Sequence, residues 1–368
     1  MVEHGIPLWR VRAIIRTLHP QIVGINYGWD RDTETIEVVK PPHEILQSEA
    51  YLHSPFVTIF EGAGALRRRL DGTEAEIDFP VLEELRDQGA TDYVALPLLF
   101  ADGQINAISI ATDRPGGVAG RELGLMYEVL PVLARRFELH AMRHTARTLL
   151  DTYLGPQTGE RVLHGLIKRG DGEDIHAVIW FCDLRGSTPL ANSMTRHEFF
   201  DVLNDFFDCV AGAVINHGGE MLRLIGDAAL AIFPTDAGES EVNRDGCTPA
   251  EACGQAIEAA HDAKRRIGEL NKRRAEAGEP PLGYGSGLHI GEVTYGNIGV
   301  PGRLEFTVVG AAANEAARLE FLAKTIDRPI LLSAEFEAYR NHGLTLLGRH
   351  ELRGIEGARE IFTLMDAA

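Results

Sequence analysis

HAVIWFCDLRGST spans His176–Thr188 and decides the fold of the C-terminal half. Seven residues with no charge end on Asp183, and a Gly-Ser-Thr turn follows. A short apolar run bounded by turn residues reads as a strand. Working outward, Thr195 and Glu198 form a capping box that opens a helix with Phe199, Leu203, Phe206 and Val210 along one face. Gly219–Ile225 and Ala228–Phe233 flank Gly226-Asp227, which reads as a tight hairpin. Thr248, Pro249 and Glu251 start another helix, which runs to Gly278 with a basic last turn. Strands at Gly285–Ile290 and Leu304–Val309 follow, then a helix from Ala311 to about Lys324.

The order β-α-β-β-α-β is that of a ferredoxin-like palm, so the fold class is α+β. In a palm the first and third of these strands are neighbours at the sheet centre. Asp183 and Asp227 therefore converge. Two carboxylates held close repel, and a divalent cation removes the conflict. Taken one at a time, each is an ordinary turn aspartate.

The N-terminal half opens with an amphipathic stretch, Leu8 to Leu18, and two β-like runs, Gln21–Gly28 and Thr33–Val39. Tyr93–Phe100 and Ile105–Ala111 flank an Ala101–Gly103 turn, a hairpin signal. From Arg121 the pattern turns helical, with Met126, Leu130, Leu133, Phe137 and Ala141 in register and Pro131 expected to offset the helix. A second helical segment, Thr145–Leu154, ends at Gly155-Pro156. The expected division is residues 1–140 as one domain, 141–175 as a helical linker and 176–368 as the palm. The N-terminal half carries no catalytic pattern.

Lys and Arg total 36 against 54 Asp and Glu, a net charge of −18, which argues against nucleic acid or an anionic membrane as partner. No apolar run reaches the roughly 20 residues needed to span a bilayer, so no membrane insertion is expected. Cys182, Cys209, Cys247 and Cys253 make no CxxC pair and no disulfide framework, and a cytoplasmic setting is expected. His140 and His144 stand one helical turn apart but lack further ligands, and they read as a solvated face. Gly218-Gly219-Glu220 reads as a turn.

Four segments in order resemble the class III adenylyl and guanylyl cyclase catalytic domain: Phe181–Thr188, Arg223–Ala228, Gly287–Gly299, and Thr307–Gly310 with Asn314–Glu320. The likeness covers residues 145 to 368. It implies a homodimeric enzyme that converts ATP to cyclic AMP and pyrophosphate. Asp183 and Asp227 would hold two Mg²⁺ or Mn²⁺ ions, with the Leu184 carbonyl as an extra ligand. Gly186, Ser187 and Thr188 would cradle the terminal phosphates. Asn314 would orient the ribose, and Arg318 would neutralise charge building on the α-phosphoryl group. Arg318 alone would read as a helix-surface ion pair with Glu315 or Glu320.

The base-reading positions depart from the usual Lys and Asp. Arg223 and Thr307 stand there, and both can serve adenine. The alternatives are a guanylate or pyrimidine nucleotide cyclase, and a catalytically silent homologue acting as a regulatory binding module. The N-terminal half loosely resembles a GAF domain, which implies a sensor for an unknown small-molecule or protein regulator. Leu149–Leu166 resembles the transducing helix found before many cyclase domains.

Overall fold

The computed structural model describes residues 6, 8–72, 75–235, 247–339 and 343–365. The chain divides into two compact units, Met1–Leu149 and Leu150–Ala368.

The first unit is built on β1 (Arg10–Arg16), β2 (Gly24–Asp30) and β3 (Ile36–Val39), then short helices α1 (Glu49–Leu52) and α2 (Pro55–Phe60). β4 (Leu66–Arg69), α3 (Pro80–Asp87), β5 (Asp92–Leu99), β6 (Ile105–Thr112) and α4 (Gly120–Leu154) follow. The amphipathic opening stretch is thus a strand, with Ala13 and Ile15 buried at period two. The six strands form an antiparallel sheet in the order β3-β2-β1-β6-β5-β4. Met126, Leu130, Ala134 and Ala141 of α4 join Ile15, Leu96 and Ile110 in one core. The segment from Arg121 and the segment Thr145–Leu154, expected as two, are one helix, and it runs unbroken through Pro131. Pro131 and Tyr127, whose carbonyl loses its helical donor, both lie on the exposed side, where water can satisfy that carbonyl.

The second unit begins with the end of α4 and α5 (Pro156–Leu163), then β7 (Gly172–Arg185), α6 (Ser187–Asn192) and α7 (Arg196–Asn216). β8 (Glu220–Ile225), β9 (Ala228–Pro234), α8 (Pro249–Glu276), β10 (Gly283–Val300) and β11 (Arg303–Val309) come next. α9 (Ala311–Thr325), β12 (Ile330–Ser333), α10 (Ala334–Glu337), β13 (Leu344–Glu351) and β14 (Ala358–Leu364) complete it. The sheet order is β13-β14-β12-β10-β7-β9-β8, with β11 paired to β10. β10-β7-β9-β8 is the expected palm, antiparallel throughout. Both capping boxes form, at Thr195 with Glu198 and at Thr248 with Glu251.

β7 is buried on both faces, which explains its apolar run. Val178, Trp180, Cys182 and Leu184 face α7 and α8 in the larger core, where Phe206 and Phe233 are also buried. Each such large side chain contributes about 1.5–3 kcal/mol. Ala177, Ile179 and Phe181 face the other way, with Tyr295 and α9 residues Ala312 and Ala316. Asp183 shares that phase, so the alternation turns it toward α9. Gly287 permits the close approach of α9 to β10, because a Cβ there would lie 2.1 Å from the Ala316 carbonyl oxygen.

Candidate active site

β7 and β9 pair in register from Ala177 opposite Pro234 to Asp183 opposite Ala228. That register places Asp183 beside the two-residue turn holding Asp227. Gly226 takes a left-handed φ of 64°, which lets the turn close tightly. The Leu184 N–H donates to the Asp227 carbonyl at 3.2 Å and ties the two segments together. Gly186, at φ 69°, then reverses the chain into α6.

These residues line one open cleft of about 340 Å³, with Asp183, Leu184, Gly186, Ser187, Thr188 and Asp227 all on its wall. Lys324, from the last turn of α9, reaches into the same cleft and bonds Asp183. Its ammonium also lies 3.4 Å from Glu320 one turn earlier. Burial, together with the neighbouring Asp227 charge, holds the Asp183 carboxyl above its ordinary range despite the Lys324 bond. Glu320 is raised first by burial and then by Asp183. Burial works against the charge on Lys324, but Asp183 and Glu320 outweigh it and raise its pKa. The oxygen donor set of two carboxylates and a backbone carbonyl suits a hard divalent cation such as Mg²⁺ or Mn²⁺.

The other four expected residues do not line this cleft. Asn314 and Arg318 are exposed on α9, one turn apart on one side of the helix. At about 100° per residue, Lys324 lies roughly 240° round from Arg318. Arg318 makes no ion pair with Glu315 or Glu320 among the described residues. Glu315 faces His289 instead, and Glu320 faces Lys324. Thr307 is buried on β11 opposite Gly296. Arg223 on β8 bonds Glu305, two residues before Thr307 on the same strand.

Three residues here escaped sequence reasoning. Lys324 and Glu320 belong to α9, and only the packing of its C-terminal end against β7 brings them to Asp183. Glu305 had one available signal: it shares the strand phase of Thr307. Gly218 lies in the turn after α7, while Glu220 opens β8, inside the expected Gly219–Ile225 strand, and is 4% exposed. It accepts hydrogen bonds from the Tyr295 hydroxyl at 2.6 Å and the Thr158 hydroxyl at 3.0 Å, joining α5 to the sheet.

Residues 173–366 match the family described as the adenylate and guanylate cyclase catalytic domain. The chain belongs to that family. An adenylate cyclase of Anabaena cylindrica is 32% identical over 171 residues, which are 45% of this chain and 31% of that protein. An uncharacterized protein of Mycobacterium tuberculosis is 35% identical over 164 residues, 45% of this chain and 27% of its own length. The chain spans about a third of the length of the curated relatives it matches. The solved structure of a bacterial light-regulated adenylyl cyclase shares the fold, with a TM-score of 0.52 and 18% identity over 73% of this chain and 85% of that one. No helix among the described residues of the cyclase chain is long and apolar enough to cross a membrane.

Proposed function

We propose that the chain converts ATP to 3′,5′-cyclic AMP and pyrophosphate at a site shared between two copies. The observation that carries this reading is the separation of the site's halves. Asp183, Asp227 and the Gly186-Ser187-Thr188 turn share one cleft, while Asn314 and Arg318 are exposed on α9 and do not line it. A two-fold dimer would bring the exposed half of one copy to the cleft of the other and form two sites.

Asp183, Asp227 and the Leu184 carbonyl would hold Mg²⁺ or Mn²⁺, which supplies charge neutralisation at the phosphates and favours ionisation of the ribose 3′-hydroxyl. The bond formed joins the ribose 3′-oxygen to the α-phosphorus, and the bond broken releases pyrophosphate. No protein nucleophile takes part. Backbone N–H groups of Gly186, Ser187 and Thr188 would hold the terminal phosphates, Asn314 would fix the ribose, and Arg318 would meet the charge growing on the α-phosphoryl oxygens. Arg223 and Thr307 would read the adenine edge. Glu305 favours a second reading, since a carboxylate beside Thr307 can accept from the N1 and N2 donors of guanine.

The N-terminal unit would regulate. It carries a cavity of about 140 Å³ lined by Arg10, Arg12, Tyr93 and Ser109 among apolar side chains such as Phe56 and Leu85, a setting for a small ligand.

One experiment tests both substrate and site. The full chain with Mn²⁺ is given ATP, GTP, CTP and UTP separately, and the products are resolved by chromatography. Faster turnover of GTP moves the assignment to Glu305 and guanine. Asp183→Ala and Arg318→Ala proteins are then mixed and allowed to exchange subunits. Each alone should be inactive, and the mixture should recover roughly a quarter of wild-type activity, since half the dimers hold one intact site. No recovery after demonstrated exchange defeats the shared site.

A further inference from the structure

The metal-binding cleft already contains a cation of its own. Lys324 bonds Asp183, and its ammonium is 3.4 Å from Glu320 Oε1. Glu320 is 5% exposed, and that oxygen has no hydrogen-bond partner. Gly285 keeps its space open, because a Cβ there would stand 3.0 Å from Glu320 Oε1. The Arg185 guanidinium also acts on Glu320, but the ammonium is the group 3.4 Å from this buried anionic oxygen and can take it as a second seat.

The helix end that carries Lys324 is fixed. Arg185 Nη2 donates to the Ala323 carbonyl at 2.6 Å and to the Arg328 carbonyl at 2.9 Å. The Arg185 charge is itself met by Asp327 at 3.6 Å. Lys324 therefore moves by its side chain alone, between two carboxylates within its reach.

We propose that Lys324 is a placeholder cation: it neutralises Asp183 while no metal is bound, and shifts to Glu320 when a divalent cation takes Asp183. Asp183, Asp227 and Glu320 lie near two cations, Lys324 and the Arg185 guanidinium that also lines the cleft. A divalent cation at Asp183 and Asp227 leaves Lys324 with Glu320 as its remaining carboxylate partner. Metal binding must displace the Lys324–Asp183 pair and hold two like-signed cations close together. Lys324 thus weakens metal affinity, and so acts as a positioning residue on Asp183 rather than a catalytic one. The inference rests on the reading of Asp183 and Asp227 as metal ligands.

The test is direct binding of Mn²⁺ to the full chain without nucleotide, followed by the electron paramagnetic resonance signal of free Mn²⁺. Lys324→Met keeps the side-chain length and removes the charge, and it should bind Mn²⁺ roughly three- to ten-fold more tightly than wild type. Lys324→Arg keeps the charge and should bind no more tightly than wild type. Thermal melting of each variant confirms that the fold is intact. Equal or weaker binding by Lys324→Met overturns the proposal, and weaker binding would make Lys324 a helper of the loaded site. If neither wild type nor variant binds Mn²⁺, the metal-ligand reading falls and takes this inference with it.

Discussion

Both units are α+β with a largely antiparallel sheet, yet the ion pairs of the N-terminal unit and the cleft of the C-terminal unit handle charge differently. In the N-terminal unit, acids and arginines meet nearly one to one: Arg12 with Asp30, Arg31 with Asp113, Arg68 with Asp78, Arg114 with Glu122. Asp92 is fully buried, but Arg67 grips it through Nε at 3.2 Å and Nη2 at 2.6 Å, and the Val118 N–H adds a third bond at 2.9 Å. In the C-terminal unit Asp183, Asp227 and Glu320 crowd together around Lys324. A matched pair is architecture, since its electrostatic need is met within the fold. A surplus of like charge costs stability and leaves a need that the fold does not meet by itself.

The sharpest way to break this comparison is to remove the surplus. Asp183→Ala or Asp227→Ala should lower cyclase activity by at least about a thousand-fold, because metal-borne stabilisation amounts to several kcal/mol. Melting temperature should hold or rise, since each change relieves repulsion. Activity lost together with folding would place these residues on the architectural side.

Removing one half of a matched pair should do the reverse. Asp92→Ala strands Arg67 and the Val118 N–H, and should destabilise the N-terminal unit by about 3 kcal/mol. Arg67 keeps about a third of its side chain exposed, which holds the cost to the low end for a buried pair. Denaturant unfolding followed in that unit measures it. Cyclisation should survive while any ligand response is lost. Loss of basal chemistry would mean that the N-terminal unit does more than regulate.

The smallest effect is expected at Glu220. Burial raises its pKa, while Tyr295 and Thr158 hold it down in part. A carboxyl whose folded pKa is raised contributes most below its unfolded value, and that contribution is lost as pH rises through the folded value. Glu220→Gln keeps an acceptor for both hydroxyls and removes the titration. The variant should melt at a higher temperature than wild type near pH 7.5 by a few degrees, and the gap should shrink toward pH 4.5. A gap independent of pH would show that packing, not charge, ties α5 to the sheet.

Much of this was legible along the chain. The palm was readable because each element carries its own signal: the apolar run before Asp183, the capping boxes at Thr195 and Thr248, the glycine at the β8–β9 turn. Asp183 and Asp227 were readable as a pair because strand order in a palm brings them together. Other features were not legible, for physical reasons. Pro131 was expected to offset the helix, but its exposed side let one helix run through it. The role of Glu220 was hidden because its partners Thr158 and Tyr295 lie 62 and 75 residues away.

By itself the sequence determined the order of elements, the cyclase segments and the residue types needed for metal and phosphate chemistry, all of which depend on local spacing and turn geometry. Only the tertiary structure decided that Lys324 lines the cleft with Asp183 and reaches Glu320, and that Glu305 bonds Arg223. The first of these depends on how α9 lies against β7 and β10. Small residues such as Gly287 and Ala316, meeting between sheet and helix, allow that approach, a contact between segments that no local pattern encodes.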